Sequence, residues 1–386
     1  MEKESVSPLR LFLSFLRLGL TAFGGPAMIA QIKELSVVRN KWLDEATFKN
    51  GVALSQAIPG ATAMQTAAYV GLQARGLGGA LLSFIGFGLP AFALMLVFAA
   101  VYEKSRDISQ IISLFNGLQV IVVALVAYAT YTFGKSSLKG IKDIMLAFMA
   151  AFLFWAGASP FLVIIAAGLS GIVLFRDTLP RISPAPHQKN NKRLIVQIAL
   201  TCLFILAALT ALYYVNEKIF LLATTMLRVD LFAFGGGFAS LPLMMHEVVS
   251  VRSWLDYRTF MDGIALGQVT PGPIVITATF VGYLTGGLAG AVVATLGRFT
   301  PSFLMLVGIA PFFDKMKASK YFAPAIKGIL ASFVGLLLFV TFNFAINVPW
   351  DLIRVLVALL ALVALFKKID VLYIVLIGSA ISVFLM

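Results

Sequence analysis

Apolar runs of about twenty residues recur from Leu9 to the end of the chain, separated by short polar segments. About 20 helical residues cross the roughly 30 Å hydrocarbon core of a bilayer. These runs are too long for barrel strands, and helices satisfy their own backbone groups in lipid. The pattern therefore predicts an all-α, polytopic integral membrane protein. Its first apolar segment, Leu9 to Ile32, is interrupted by Gly24-Gly25-Pro26, and a polar stretch from Lys33 to Asn50 follows. The second, Gly51 to Leu72, is interrupted by Pro59-Gly60. Segments at Leu77–Tyr102, Ile108–Phe133, Ile144–Gly157 and Phe161–Phe175 complete a first set. After a Pro- and cation-rich stretch at Arg176–Arg193, an uncharged span at Leu194–Val215 has no counterpart upstream. Six more segments follow, at Ile219–Met245, Gly263–Tyr283, Leu288–Phe313, Phe322–Ile346, Leu352–Phe366 and Val371–Met386.

The second set repeats the first. Phe23-Gly24-Gly25-Pro26, Trp42-Leu43-Asp44, Gln56-Ala57-Ile58-Pro59-Gly60 and Tyr69-Val70-Gly71 return as Phe234-Gly235-Gly236-Gly237, Trp254-Leu255-Asp256, Gln268-Val269-Thr270-Pro271-Gly272 and Phe280-Val281-Gly282. The shift is 211 positions at Gly24 and Gly71 and 212 at Trp42, so the register recovers after small insertions. A fixed long-range shift is the mark of an internal duplication. The predicted organisation is a first repeat over 1–175, a basic linker and connector span over 176–216, and a second repeat over 217–386. Six segments return the chain to its starting side, and one extra span inverts the second half, giving about 13 segments, some of them broken or re-entrant.

Composition agrees: 60% of residues are hydrophobic and 12% charged, against about 25% charged in soluble domains, and mean hydropathy is +0.96. The net charge of +13 sits in short loops, so it reads as topology and not as a nucleic-acid surface. With the N-terminus in the cytoplasm, inside loops carry 18 Lys and Arg against 8 outside. This predicts a multi-pass plasma-membrane protein with a cytoplasmic N-terminus and an external C-terminus. No cleavage-site pattern follows the first apolar run, which reads as a retained span. The single cysteine, Cys202, cannot form an internal disulfide.

Repeated halves with helix breaks at equivalent places are the pattern of secondary transporters, whose sites lie near the midplane at discontinuous helices. A helix starting at a break directs free N–H groups and a positive dipole end toward it, and glycine lets a ligand reach the backbone. Gly24, Gly25, Pro59 and Gly60, with Gly235, Gly236, Pro271 and Gly272, are the candidate oxyanion-binding positions. Gln56 and Gln268 precede the prolines by three residues, and Thr66 and Thr277 follow the breaks. Their amide and hydroxyl donors suit a desolvated oxyanion, or alternatively hold spans together. Glu34 and Arg39 recur as Glu247 and Arg252, followed by Asp44 and Asp256; these are candidates for gating or proton coupling, or for anchoring at the interface. The tryptophans read as headgroup-depth anchors. Asp230, Arg228 and Arg298 lie in or beside spans, and Arg298 either faces a cavity or snorkels to an end. His246 beside Glu247 is a further proton site to consider, and His187 in the linker is read as inert. Metal-protease, paired-histidine, nucleophile-elbow and Walker patterns are missing, so no enzyme activity, cofactor or metal is expected.

Phe23-Gly24-Gly25-Pro26 with Ala53-Leu54-Ser55-Gln56-Ala57-Ile58-Pro59-Gly60, and Phe234-Gly235-Gly236-Gly237 with Ala265-Leu266-Gly267-Gln268-Val269-Thr270-Pro271-Gly272-Pro273, resemble the paired motifs of the chromate ion transporter family in its long, two-domain form. Two positions depart from that pattern. Ala61 stands where the family has a proline, and Ala27, Met28 and Ile29 follow the first motif where a histidine is common. The resemblance implies export of chromate from the cytoplasm, driven by membrane potential or protons, and chromate resistance. Chromate and sulfate are tetrahedral dianions of similar size, so uptake or exchange of sulfate is the alternative. A membrane enzyme acting on lipid phosphates is a third reading, lacking a visible nucleophile. The expected partners are a chromate- or sulfate-like oxyanion, protons and the lipid bilayer; a homodimer stays open, and no nucleic acid is expected.

Overall fold

The computed structural model describes residues 6–23, 25–176 and 192–385. The first half contains α1 (Pro8–Thr21), α2 (Gly25–Lys33), a π-helical turn (Glu34–Arg39), α3 (Glu45–Ala57), α4 (Thr62–Ser105), α5 (Ser109–Ser137), α6 (Ile141–Trp155) and α7 (Pro160–Leu174). The connector is α8 (Lys192–Val215). The second half contains α9 (Glu217–Leu231), α10 (Gly237–Met245), a second π-helical turn (His246–Val251), α11 (Tyr257–Val269), α12 (Thr277–Ile309), the short α13 (Phe313–Lys317), α14 (Phe322–Asn347), α15 (Leu352–Phe366) and α16 (Val371–Leu385). The bounds of α6 and α7 recur in α15 and α16 at a shift of 211. The linker stretch, including His187, lies outside the described residues apart from its ends.

Glycine and proline set the ends of these helices. Pro8 and Pro160 open α1 and α7, where a missing N–H is no loss. α4 and α12 each fold back on themselves at a two-residue non-helical break, Arg75-Gly76 and Gly286-Gly287, at the same place in both halves, so that Ser83 Oγ reaches the carbonyl of Ala67 at 2.8 Å and the hydroxyls of Thr279 and Thr295 meet at 2.7 Å. Asp44 accepts the backbone N–H of Thr47 at 2.8 Å and caps α3, and that bond holds its carboxyl below the usual range. Asp256 caps α11 through Thr259 at 2.7 Å.

The chain forms two compact units. The first holds α1 to α3, α4 as far as Leu96, α8, α9 and the stretch from Thr270 to Ala318. In it α9 packs along α12, and small residues bring the backbones close. A methyl on Gly297 would lie 3.0 Å from the carbonyl oxygen of Ala223, and one on Gly86 would lie 2.8 Å from that of Phe12, the equivalent contact between α4 and α1. The second unit holds the end of α4, α5 to α7, α10 and α11, and α14 to α16. There the long helix of each half packs against the last two helices of the other: α14 on α6 and α7, α5 on α15 and α16. Gly328 and Gly335 press on the carbonyls of Ala167 and Ala147, where an added methyl would sit 2.2 Å away. Close approach at small residues is how helices associate in lipid, where apolar burial offers no advantage.

Thr62–Ser105, Ser109–Ser137, Val196–Val215, Ile274–Lys317 and Phe322–Asn347 are long and apolar enough to cross a bilayer. The 15-residue helices α6, α7, α15 and α16 reach only about 22 Å at 1.5 Å per residue. Large apolar side chains face outward, among them Phe148, Leu162, Val173 and Phe204, as lipid contact requires. The chain is a multi-pass membrane protein.

Candidate functional site at the paired helix breaks

The breaks of the two halves come together in the first unit. α3 ends at Ala57, the chain turns through Pro59 and Gly60, and α4 begins at Thr62. In the second half the chain turns through Pro271 and Gly272, makes a 3₁₀ turn at Ile274–Ile276, and enters α12. Gly60 and Gly272 have φ of 122° and 107°, a region that side chains rarely adopt. Each break is held by the other half. The N–H of Gly60 donates to the carbonyl of Ala233 at 2.9 Å, and the N–H of Gly272 donates to that of Ala22 at 2.7 Å. Ala22 and Ala233 are buried and lie just before the two Phe-Gly-Gly motifs. So each Pro-Gly turn is tied to the residue that precedes the opposite half's Phe-Gly-Gly motif. These two amides are used in holding the turns together.

The polar surroundings of the two turns differ. A methyl on Gly60 would lie 2.3 Å from Cβ of Ser302 and 2.9 Å from Nε2 of Gln65. Gln65 is fully buried and donates through Nε2 to the carbonyls of Pro59, at 2.6 Å, and Ser302, at 3.3 Å. The backbone N–H of Ser302 donates to Oδ2 of Asp230 at 2.7 Å, and Asp230 Oδ1 accepts from Nη1 of Arg298. Asp230, Ser302 and Arg298 are all fully buried. A continuous polar chain thus runs from the first Pro-Gly turn to a buried ion pair. Beside Gly272 the nearest group is Cβ of Ala91.

Other positions singled out from the sequence fall as follows. Gly24 lies outside the described residues, and Gly25 is the first residue of α2. Gly235 and Gly236 form the turn before α10, both with positive φ. Thr66 Oγ1 donates to the carbonyl of Thr62, and Thr277 Oγ1 to that of Ile274, both at 2.8 Å. Gln56, near the end of α3, is exposed. Gln268, near the end of α11, has a buried Nε2 with no protein acceptor. Arg298 does not snorkel: its carboxylate partner on the facing helix anchors it inside. Gln65 was not singled out. The signal for it was a polar amide in the first turn after a break, a position that faces the turn it follows.

Glu34 and Arg39 pair at 3.0 Å across the first π-helical turn. In the second unit Glu247 and Arg252 lie 3.9 Å apart across the equivalent turn. A π turn bonds i to i+5, which brings residues five apart onto one face. Glu247 is buried, whereas Glu34 is exposed. Trp42 is buried against Phe15 and serves packing, not lipid anchoring; Arg252 lies over the ring of Trp254 at 5.1 Å. His246 has an interaction partner in the fold.

The second unit also contains a buried carboxylate that the sequence did not signal. Asp262 of α11 accepts from the hydroxyl of Tyr102 and from Nε2 of Gln119, each at 2.8 Å. Asp262→Leu strands the buried Gln119 amide. It is expected to cost about 1–3 kcal/mol, measured as a lower denaturation midpoint in detergent, while Asp262→Asn keeps at least one acceptor and costs less.

The chromate transporter family model matches residues 9–172 and again residues 220–383. The chain belongs to the chromate transporter family. An uncharacterized transporter of Methanocaldococcus jannaschii is 44% identical, over 98% of this chain and 94% of that protein. A chromate transport protein of Cupriavidus metallidurans is 29% identical, over 94% of this chain and 89% of that protein. A chromate transport protein of Pseudomonas aeruginosa is 30% identical, over 85% and 79% respectively. No solved structure matches the chain. Both matched stretches of this chromate transporter family member contain their Phe-Gly-Gly and Pro-Gly turns.

Proposed function

We propose that this chain is a secondary transporter that exports chromate from the cytoplasm, with the oxyanion bound near the midplane where the helix breaks of two inverted halves meet. The observation that carries the reading is the reciprocal pair of backbone bonds, Gly60 to Ala233 and Gly272 to Ala22. They tie the broken helices of the two halves around one place, as alternating access about a fixed site requires. Membership of the chromate transporter family and the names of two relatives support chromate as the cargo. Helix starts at Thr62 and Thr277 add positive dipole ends. Gly25, Gly235, Gly236, Gln268, Thr66 and Thr277 are proposed to border the path. The Glu34–Arg39 and Glu247–Arg252 pairs, with Asp44 and Asp256, are proposed as its gates, because π turns recur there in both halves. The N-terminus lies in the cytoplasm in this reading, and the cell gains chromate resistance.

Everted vesicles containing the chain are expected to accumulate labelled chromate above empty vesicles, with sulfate competing. Absence of chromate flux sinks the reading, and sulfate flux without chromate flux replaces its cargo.

A further inference from the structure

The repeat assigns a counterpart to three residues of the polar chain beside Gly60. At the shift of 211, Asp230 corresponds to Gly19, Arg298 to Phe87, and Ser302 to Ala91. The correspondence is spatial as well. A methyl on Gly19 would lie 2.4 Å from the carbonyl oxygen of Phe87, the same crossing at which Asp230 meets Arg298. Pro90 and Pro301 sit at matching places in the two long helices. One half therefore closes this crossing with a glycine against the backbone of Phe87, and the other closes it with a buried ion pair.

A fully buried pair is weak evidence for stability, since apolar replacement of similar volume is often neutral or favourable. The first half demonstrates that replacement within the same molecule. The guanidinium is also only partly used. Nη1 of Arg298 donates to Asp230, while Nε and Nη2 are buried with no acceptor among the described residues. Nε and Nη2 form the side edge of the guanidinium, two parallel N–H groups spaced for two oxygens of one carboxylate or tetrahedral oxyanion. Asp230, fixed by the Ser302 amide, supplies the charge that lets the arginine remain buried in the unloaded protein.

We propose that Arg298 is a substrate-binding residue that grips a tetrahedral oxyanion dianion through its Nε–Nη2 edge, with Asp230 as its positioning residue. The oxyanion site is then one-sided, built on the second half's charges within a frame that both halves share. The proposal rests on the transport reading for its cargo, but it concerns binding and can be read separately.

The deciding variant gives the second half the residues of the first, Asp230→Gly with Arg298→Phe. It removes both charges together and leaves no lone buried ion. Purified wild type is expected to melt at a higher temperature in the presence of chromate, sulfate or molybdate. The double variant is expected to keep its melting temperature without anion and lose that shift. Arg298→Lys, which keeps the charge and removes the fork, is expected to weaken binding and transport of chromate at least tenfold. Wild-type anion response in either variant overturns the proposal, even if the other variant fails to insert. A wild type that binds anions through Arg298 but moves no chromate overturns the transport reading and leaves this one standing.

Discussion

Arg298→Met, made alone, is expected to destabilise the protein by about 3–5 kcal/mol, because it leaves the Asp230 carboxylate buried without its counter-charge. Asp230 and Arg298 are both 0% exposed, so water cannot reach either partner to replace the other. The second oxygen of Asp230 still receives the Ser302 amide, which compensates only in part. Removing both charges by Asp230→Gly with Arg298→Phe is expected to recover most of the loss, since Gly19 and Phe87 already fill the equivalent crossing. Denaturation midpoints in detergent for Asp230→Gly alone, Arg298→Phe alone and the double complete the cycle. Additive losses would show that the two residues act independently and would refute the pairing.

Gly60→Leu and Gly272→Leu are expected to abolish chromate flux while the protein still reaches the membrane. At φ of 122° and 107° any side chain is strained, at a cost of about 1–3 kcal/mol. Overlap adds to this, and it ranks the two. The first carbon at Gly60 falls 2.3 Å from Ser302 and 2.9 Å from Gln65, whereas at Gly272 it meets Ala91 at 2.9 Å. Gly60 is the more sensitive position, because moving Ser302 also moves the amide that holds Asp230. Gly78 offers the control: it has ordinary φ and nothing within 4 Å, so Gly78→Ala is expected to change stability by less than about 0.5 kcal/mol. Vesicle flux normalised to inserted protein decides; wild-type flux in Gly60→Leu would remove the turn from the transport path.

Much of the fold is legible in the sequence for simple reasons. Helices in lipid must be apolar and uninterrupted, so their limits appear as glycine, proline and charge. Leu352–Phe366 read from the pattern is the observed α15, and the interruption at Pro59-Gly60 separates α3 from α4. The turns at Gly76 and Gly287 fall in the gaps that the pattern leaves after Leu72 and after Tyr283. The pattern there reads as two segments on either side of a short gap, and the structure agrees: non-helical residues at Arg75-Gly76 and Gly286-Gly287 divide each stretch into two helices that fold back on each other. The five-residue spacing of Glu34 and Arg39 was apparent, but the π turn that makes it a contact was not, because an α-helix and a π turn share the same residue preferences locally.

The candidate site divides along the same line. The sequence by itself determined the repeat and marked the glycines of its breaks; at Gly60, Gly235, Gly236 and Gly272 a positive φ excludes side chains. It also marked Asp230 and Arg298 as charges in apolar surroundings. Only the tertiary structure decided which groups meet: Gly60 with Ala233, Gly272 with Ala22, Asp230 with Arg298, and Gln65 with the turn before it. The physical reason is that a local rule constrains one residue's backbone or its solvent, whereas a hydrogen bond across 173 positions, from Gly60 to Ala233, depends on how whole helices cross. The difference between the halves, charged at one crossing and apolar at its equivalent, could be read only after the crossings themselves were known.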